Sequence, residues 1–174
     1  IGTADSSGSQ TVHAIRNVTF NALTTTGNSG DAGNVNVTAD SGFILAQTVT
    51  SGGVTTLGSV SAHGAASLLA ATTITGNALA ATTGSGLLTA NGGPINWNVL
   101  NVGATLGVIA GQGSINLQTA QSGGTQTIHA RDNVTFNALT ATGITGDTGS
   151  INVDADTGFI LAQTVTSGGV PTLG

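Results

Sequence analysis

The sequence contains no cysteine and no methionine, and it also lacks lysine and glutamate. Without cysteine no disulfide can form, which suits a chain that crosses membranes unfolded. Charged residues make up only 5% of the chain, against roughly 25% in typical soluble domains. Solubility must therefore come from hydroxyl and amide groups. Two basic residues against seven acidic ones give a net charge of −5. Since two cations cannot neutralise a phosphate track, nucleic acid is excluded as a partner.

Long apolar runs and large aromatic side chains are also scarce. No stretch of about 18 apolar residues is present, so no membrane-spanning helix is predicted. The opening residues, IGTADSSG, do not have the pattern of a signal peptide. Four phenylalanines and one tryptophan are the only large aromatics. The core must therefore be built in thin layers, chiefly from Val, Ile, Leu and Ala. Hydrophobic residues of all types make up 39% of the chain, and this composition is not that of a disordered tail.

A long internal repeat is the strongest positive feature. Residues 8–58 return as residues 124–174, in register and without insertion, and 38 of the 51 paired positions are identical. Residues 59–123 lie between the two copies and occur once. Thr3, Ala4 and Ser6 match Thr119, Ala120 and Ser122, so the chain is expected to begin within a repeat of a longer array. Close repetition of this kind indicates a quasi-one-dimensional architecture of stacked units.

Short alternating segments separated by turn residues predict an all-β fold. Strands are expected at residues 10–23, 34–39, 43–50 and 95–99, where Ile95, Trp97 and Val99 would share the apolar face. Residues 63–84 are rich in Ala and Leu, and a short helix remains open there. Paired threonines and frequent glycines favour strands in that segment instead.

Two all-β architectures compete for this pattern. A sandwich would connect its strands by hairpins and would not repeat at 116 residues. A parallel β-helix stacks successive turns about 4.8 Å apart, so that like residues lie above like residues. At about 20 residues per turn the chain would form roughly nine rungs in a single unit over residues 1–174, a rod roughly 40 Å long. The parallel β-helix is therefore the predicted fold.

The segments GNVNVTADSGFILA, GSINVDADTGFILA and, more loosely, GSINLQTAQSGG share a degenerate pattern. This pattern resembles the filamentous-haemagglutinin-type repeats of two-partner-secreted exoproteins of Gram-negative bacteria. The resemblance extends over most of the chain, with the middle block fitting less clearly. It implies a right-handed parallel β-helical shaft, as in large adhesins and in the sticks of contact-dependent growth-inhibition toxins. It also implies secretion to the bacterial cell surface through an outer-membrane translocator.

Few residues carry reactive chemistry. His13 and His129 are repeat equivalents and His63 stands alone, so outward rung positions are expected rather than a metal site. Asp154 and Asp156 have strand spacing and would point to one face.

The cations Arg16 and Arg131 are not equivalent positions, so no catalytic grouping with the carboxylates recurs and no enzyme activity is expected. Asp31, Asp40, Asp147 and Asp156 recur in Gly-rich turns. Their carboxylates are the oxygen ligands that calcium prefers, but capping of the turn amides is the favoured interpretation. No metal, cofactor or catalytic residue is predicted.

Two functions from different classes fit these observations. The first is a structural shaft or spacer, with neighbouring repeats of the same chain as its main partners. The second is a lateral module that binds a host glycan or a bacterial surface receptor, with Trp97 stacking on a sugar if its ring is exposed. Because a β-helix has unpaired backbone edges at its ends, head-to-tail association of the chain is also expected.

Overall fold

The chain folds into a coil of short strands, and every pair of neighbouring strands is parallel. The computed structural model describes residues 1–27, 33–39, 44–52, 55–62, 65–70 and 72–174. No helix occurs among these residues, so none could span a membrane. The strands are β1 (Thr3–Ser6), β2 (Gln10–Ala14), β3 (Val18–Thr25), β4 (Val35–Ala39), β5 (Ile44–Ser51), β6 (Thr55–Ala62), β7 (Ala66–Ala70), β8 (Ile74–Ala81), β9 (Gly86–Ala90), β10 (Ile95–Val102), β11 (Leu106–Ala110), β12 (Ile115–Ser122), β13 (Gln126–Ala130), β14 (Val134–Ala141), β15 (Ile151–Ala155), β16 (Ile160–Ser167) and β17 (Pro171–Leu173).

Each turn of the coil has three sides. In the turn that begins at β10, residues 95–97 form the first side and residues 99–102 the second, joined at a one-residue corner, Asn98. Strand β11 forms the third side. Residues 103–105 and 111–114 make the other two corners. The next turn repeats this course 20 residues later, with Ile95 beside Ile115 and Leu106 beside Gln126.

The parallel β-solenoid that the sequence predicts is therefore confirmed, with a small correction to its length. From Gln10 to Ile160 the first-side ladder takes seven steps, and the coil has about seven turns rather than roughly nine. The difference arises where a turn takes in extra residues, as between Gln126 and Ile151. Seven turns correspond to a stack about 34 Å long.

Aliphatic ladders along the inside of the coil form the core. The residues at one inner position of the first side in consecutive turns are all fully buried: Ile74, Ile95, Ile115 and Val134. The third side contributes an equivalent ladder: Leu68, Leu88, Val108, Ile128 and Val153. Stacking equivalent residues in register buries apolar surface at every turn, which is how a chain with few large side chains acquires a core.

The one-residue corners reverse the inward and outward alternation. In β10, Ile95 and Trp97 are buried, whereas Val99 is 44% exposed and Leu100 is 1% exposed. The expectation that Val99 shares the apolar face is therefore wrong. Two consecutive residues, Asn98 and Val99, point outward at the corner, so the buried positions of the eight-residue strand are the first, third, sixth and eighth. The same burial order recurs in β12 and β14.

Trp97 fits the core because the turn next to it has a glycine. Trp97 is 2% exposed and lies in register with Gly76 on one side and Leu117 on the other. A Cβ atom at Gly76 would lie only 2.3 Å from the indole ring. The indole Nε1 donates a hydrogen bond to the carbonyl of Val99 at 3.0 Å. A large side chain in one turn thus occupies the space that the adjacent turn leaves free.

The two copies of the repeat lie on different sides of the coil. Strand β2 belongs to the first-side ladder, because it pairs with β4, which pairs with residues 55–57 of β6, which in turn pair with β8. Its repeat equivalent, β13, belongs to the third side. One repeat unit of 116 residues therefore advances five turns and two further sides. His13 and His129, which occupy equivalent positions in the repeat, consequently face in different directions.

Two local expectations are corrected by the structure. The segment predicted as one strand over residues 10–23 is divided into β2 and β3 by a corner at which Ile15 is 74% exposed. The helix left open for residues 63–84 does not form in the described part of that segment, which contains β7 and β8. His63 lies outside the described residues.

Candidate functional site

One histidine and two aspartate side chains from two adjacent turns meet on the outside of the coil. The Nε2 atom of His129 lies 2.8 Å from Oδ1 of Asp156 and 3.7 Å from Oδ2 of Asp154. One nitrogen or oxygen atom from each residue lies within 4.8 Å of the others. Within the described part of the chain, this trio, hereafter the His129 cluster, is the one group of three or more His, Cys, Asp or Glu side chains assembled so closely.

Backbone pairing places the members of the His129 cluster. His129 on β13 lies in register with Asp154 on β15, so their side chains leave the third side next to one another. Asp156 follows the end of β15, and its backbone N–H donates to the carbonyl of Ala130 at 3.0 Å. The next residue, Thr157, donates its N–H to the carbonyl of Arg131 at 2.9 Å. These bonds hold the start of the turn against the preceding turn and keep Asp156 beside His129.

The His129 cluster is accessible to solvent and has an excess of negative charge. The side chains of His129, Asp154 and Asp156 are 40%, 61% and 48% exposed. Arg131 is two residues from His129, but its guanidinium hydrogen-bonds the side-chain oxygen of Gln112 in the preceding turn. The two carboxylates are thus left facing an imidazole rather than a guanidinium.

A groove of about 440 Å³ borders the cluster along the third side. Its lining includes both polar and apolar residues: Ile109, Thr127, Ile128, His129, Asn152, Val153, Asp154, Thr172 and Gly174. The groove gives the imidazole and the Asp154 carboxylate an open approach from solvent.

Sequence reasoning placed Asp154 and Asp156 on one face but did not bring His129 to them. His129 lies 25 positions before Asp154 and 27 before Asp156, and only the register of adjacent turns brings it to them. A signal was nevertheless present, because TQTIHA and SINVDA occupy equivalent turns and align His129 with Asp154. Alignment of these two segments places His129 next to Asp154.

The ring of Trp97 is not available to a ligand in this structure. Stacking on a sugar required an exposed ring, and Trp97 is 2% exposed. The outer surface over it is instead a polar groove of about 440 Å³. In this groove Asn116 donates its side-chain amide to Asn96 at 2.8 Å. The polar residues that line it are Thr75, Asn96, Asn98, Asn116, Gln118, Thr135 and Asn137.

Asp147 has the turn-capping role expected of aspartates in the Gly-rich turns. Its carboxylate accepts the backbone N–H of Thr125 at 2.8 Å, the Thr125 hydroxyl at 2.7 Å and the backbone N–H of Gly149 at 2.8 Å. These bonds stabilise the ionised carboxylate and so lower the pKa of Asp147. The backbone N–H of Thr125 has the largest effect, followed by the backbone N–H of Gly149 and the Thr125 hydroxyl. The first-copy aspartates, Asp31 and Asp40, lie outside the described residues.

Comparison of the chain with protein-family models, with curated proteins and with solved structures finds no match. The strand pairing by itself defines the class of the protein, which is a parallel β-solenoid.

Proposed function

We propose that this chain is a structural shaft segment of a large secreted bacterial surface protein. The observation that carries the proposal is the continuous ladder of parallel strands, in which every described strand between the two end turns pairs with a strand on each side. Such a stack resists bending because backbone bonds and core ladders run along its whole length. The role of a shaft is reach, and the parts that it would hold apart lie outside this sequence.

The repeat supports this role because the second copy extends the coil with the same core residues as the first. Thirty-eight of 51 positions are identical between the copies, and the identical positions include the buried residues Val134, Phe136 and Leu139. Selection for a continuous core accounts for such identity, whereas a single ligand site would need only one copy. Secretion through an outer-membrane translocator and placement at the cell surface belong to the same proposal, supported by the family resemblance and the absence of cysteine.

A length measurement tests the shaft directly. A variant in which residues 8–123 occur twice in tandem adds one 116-residue unit, which comprises five turns and two sides. At about 4.8 Å per turn its long axis should be about 27 Å longer, with an unchanged cross-section. Small-angle X-ray scattering measures both dimensions. A glycine- and serine-rich insertion of the same length is the matched control. Growth of the cross-section instead of the long axis would contradict the shaft.

A lateral binding module is the second candidate, and the amide-lined groove over Trp97 favours it. Rows of asparagine and threonine side chains present donors and acceptors that suit the hydroxyls of a neutral sugar. Binding there predicts saturation-transfer NMR signals from a glycan, weakened when Asn96 and Asn116 are replaced by alanine. Unchanged signals in that variant would exclude this groove, and the shaft would not be affected.

A further inference from the structure

We propose that the His129 cluster binds a divalent metal ion of the zinc class. The site lies on the outer surface of the third side, and its ligands would be one imidazole nitrogen and one carboxylate oxygen from each of two aspartates. This inference concerns the chain's own residues and does not depend on the shaft function.

The first argument is geometric. Zinc binds imidazole nitrogen at about 2.0–2.1 Å and carboxylate oxygen at about 2.0–2.2 Å, so two ligands of one tetrahedral ion are about 3.3 Å apart. The observed separations from His129 Nε2 are 2.8 Å and 3.7 Å, one on each side of that value. Rotations of exposed side chains are sufficient to equalise them. An ion would replace the hydrogen bond that His129 now shares with Asp156.

The second argument is that the backbone already holds the three ligands together. His129 and Asp154 are adjacent in a parallel ladder, and Asp156 is held by the bond from its N–H to Ala130. The chain therefore does not have to order a loop in order to assemble the site. Pre-organisation of this kind lowers the entropic cost of binding.

The third argument concerns charge. The cluster contains two carboxylates and no guanidinium, because the side chain of Arg131 is directed to Gln112. A divalent cation would be attracted to the two carboxylates. The open approach along the bordering groove leaves room for water or a further ligand to complete the coordination.

The donor set selects the class of ion. Magnesium and calcium prefer oxygen ligands alone, whereas imidazole suits zinc, nickel and other late first-row ions. The chain has no thiolate to offer a softer ion. Because its ligands come from two successive turns, a bound zinc ion would act as a clamp between β13 and the turn that follows β15.

The repeat provides a matched comparison. His13 is the first-copy equivalent of His129, but Thr38 stands at the position of Asp154. A hydroxyl is a weaker ligand than a carboxylate, so the first copy lacks the full donor set. One zinc ion per chain is therefore expected, not two.

Isothermal titration of tag-free, chelator-treated protein with zinc chloride tests the proposal. We expect one binding event per chain, weakened at least about 10-fold in His129→Ala and Asp154→Asn. The controls are His13→Ala, which removes the equivalent histidine of the first copy, and Asp5→Asn, which removes an exposed carboxylate elsewhere. Both should bind as the parent does. Circular dichroism establishes that each variant is folded.

A second measurement does not rely on variants. Cobalt, added as a paramagnetic substitute for zinc, should broaden the ring resonances of His129 before those of His13 and His63. Preferential broadening of another ring, zinc affinity unchanged in His129→Ala, or binding of calcium without binding of zinc would each overturn the site. Equal losses in the two control variants would identify nonspecific surface binding and would also overturn it.

Discussion

A single glycine decides where the largest side chain can be placed. Gly76 faces the indole of Trp97 across adjacent turns, in a ladder where Leu117 and Phe136 fill the next two places. Space in such a ladder is shared between neighbouring turns, so the size of one residue limits the size of the next. In this sense the ladder, rather than the single turn, is the unit of packing.

Replacing Gly76 by alanine should destabilise the chain by about 1–3 kcal/mol, because a Cβ atom cannot fit 2.3 Å from the ring. The loss should be smaller in a Trp97→Leu background, which frees the space. Urea unfolding of both single variants and the double variant gives the coupling energy. Gly2→Ala is the control, since no atom lies within 4 Å of a Cβ there. Additive effects of the two substitutions would show that the contact is not limiting.

Asp147 makes a contribution to stability that depends on pH. Its pKa is lowered in the folded chain by the N–H groups of Thr125 and Gly149. The stabilisation is therefore fully present above the unfolded aspartate value of about 3.9 and is lost as the pH falls through the lower folded value. Asp147→Asn should be less stable than the parent at neutral pH, and the difference should narrow below about pH 4.

Thermal unfolding of both proteins across this range measures the effect. Asp5→Asn serves as the control for loss of an exposed carboxylate. A difference between parent and Asp147→Asn that stays constant down to the lowest pH would show that the carboxylate charge is not responsible.

At the level of the strand, the corner inside each eight-residue strand sets which residues are buried. The sequence alone predicts that Ile95, Trp97 and Val99 lie on the same face of the strand, because side chains of a regular strand alternate with a period of two. The structure inserts an extra outward position at the corner, and Leu100 takes the buried place instead. The existence of the strand is thus predictable, and the phase after the corner is not.

The same limit applies to the His129 cluster. Strand spacing alone brings Asp154 and Asp156 to one face. His129 joins them only through the register between β13 and β15, and that register depends on how many residues the intervening turn contains. Residues 142–150 make this turn longer than its neighbours. The parallel fold followed from the repeat, whereas the count of about seven turns depended on such loops.

Two adjacent positions of β10 provide a test of the corner. Leu100→Ala should cost about 2–5 kcal/mol, because a 1% exposed side chain leaves a cavity. Val99→Ala, at a 44% exposed position, should change stability by no more than about 0.5 kcal/mol. Guanidinium unfolding of the two variants compares them directly. The reverse order would mean that alternation continues through the corner without a change of phase.

Over the whole molecule, the ends of the stack differ from its middle. Strands β16 and β17 each pair with one neighbour only among the described residues, as do β1 and β2. Val165, at a core position of β16, is half-buried, whereas Leu139 beside it in β14 is fully buried. Unpaired N–H and C=O groups next to apolar side chains form a template for another parallel strand.

We expect the 174-residue chain to associate head to tail as its concentration rises, because stacking the first turn of one copy on the last turn of another pairs these edges and covers the core. Sedimentation velocity over a dilution series should show the average mass increasing with concentration. Val165→Lys places a charge at the open end of the core and should keep the chain monomeric, whereas Thr166→Lys, on the exposed neighbouring position, should not. A single monomeric species at every concentration would contradict the expectation. Equal effects of the two lysine variants would attribute association to surface charge rather than to the open end.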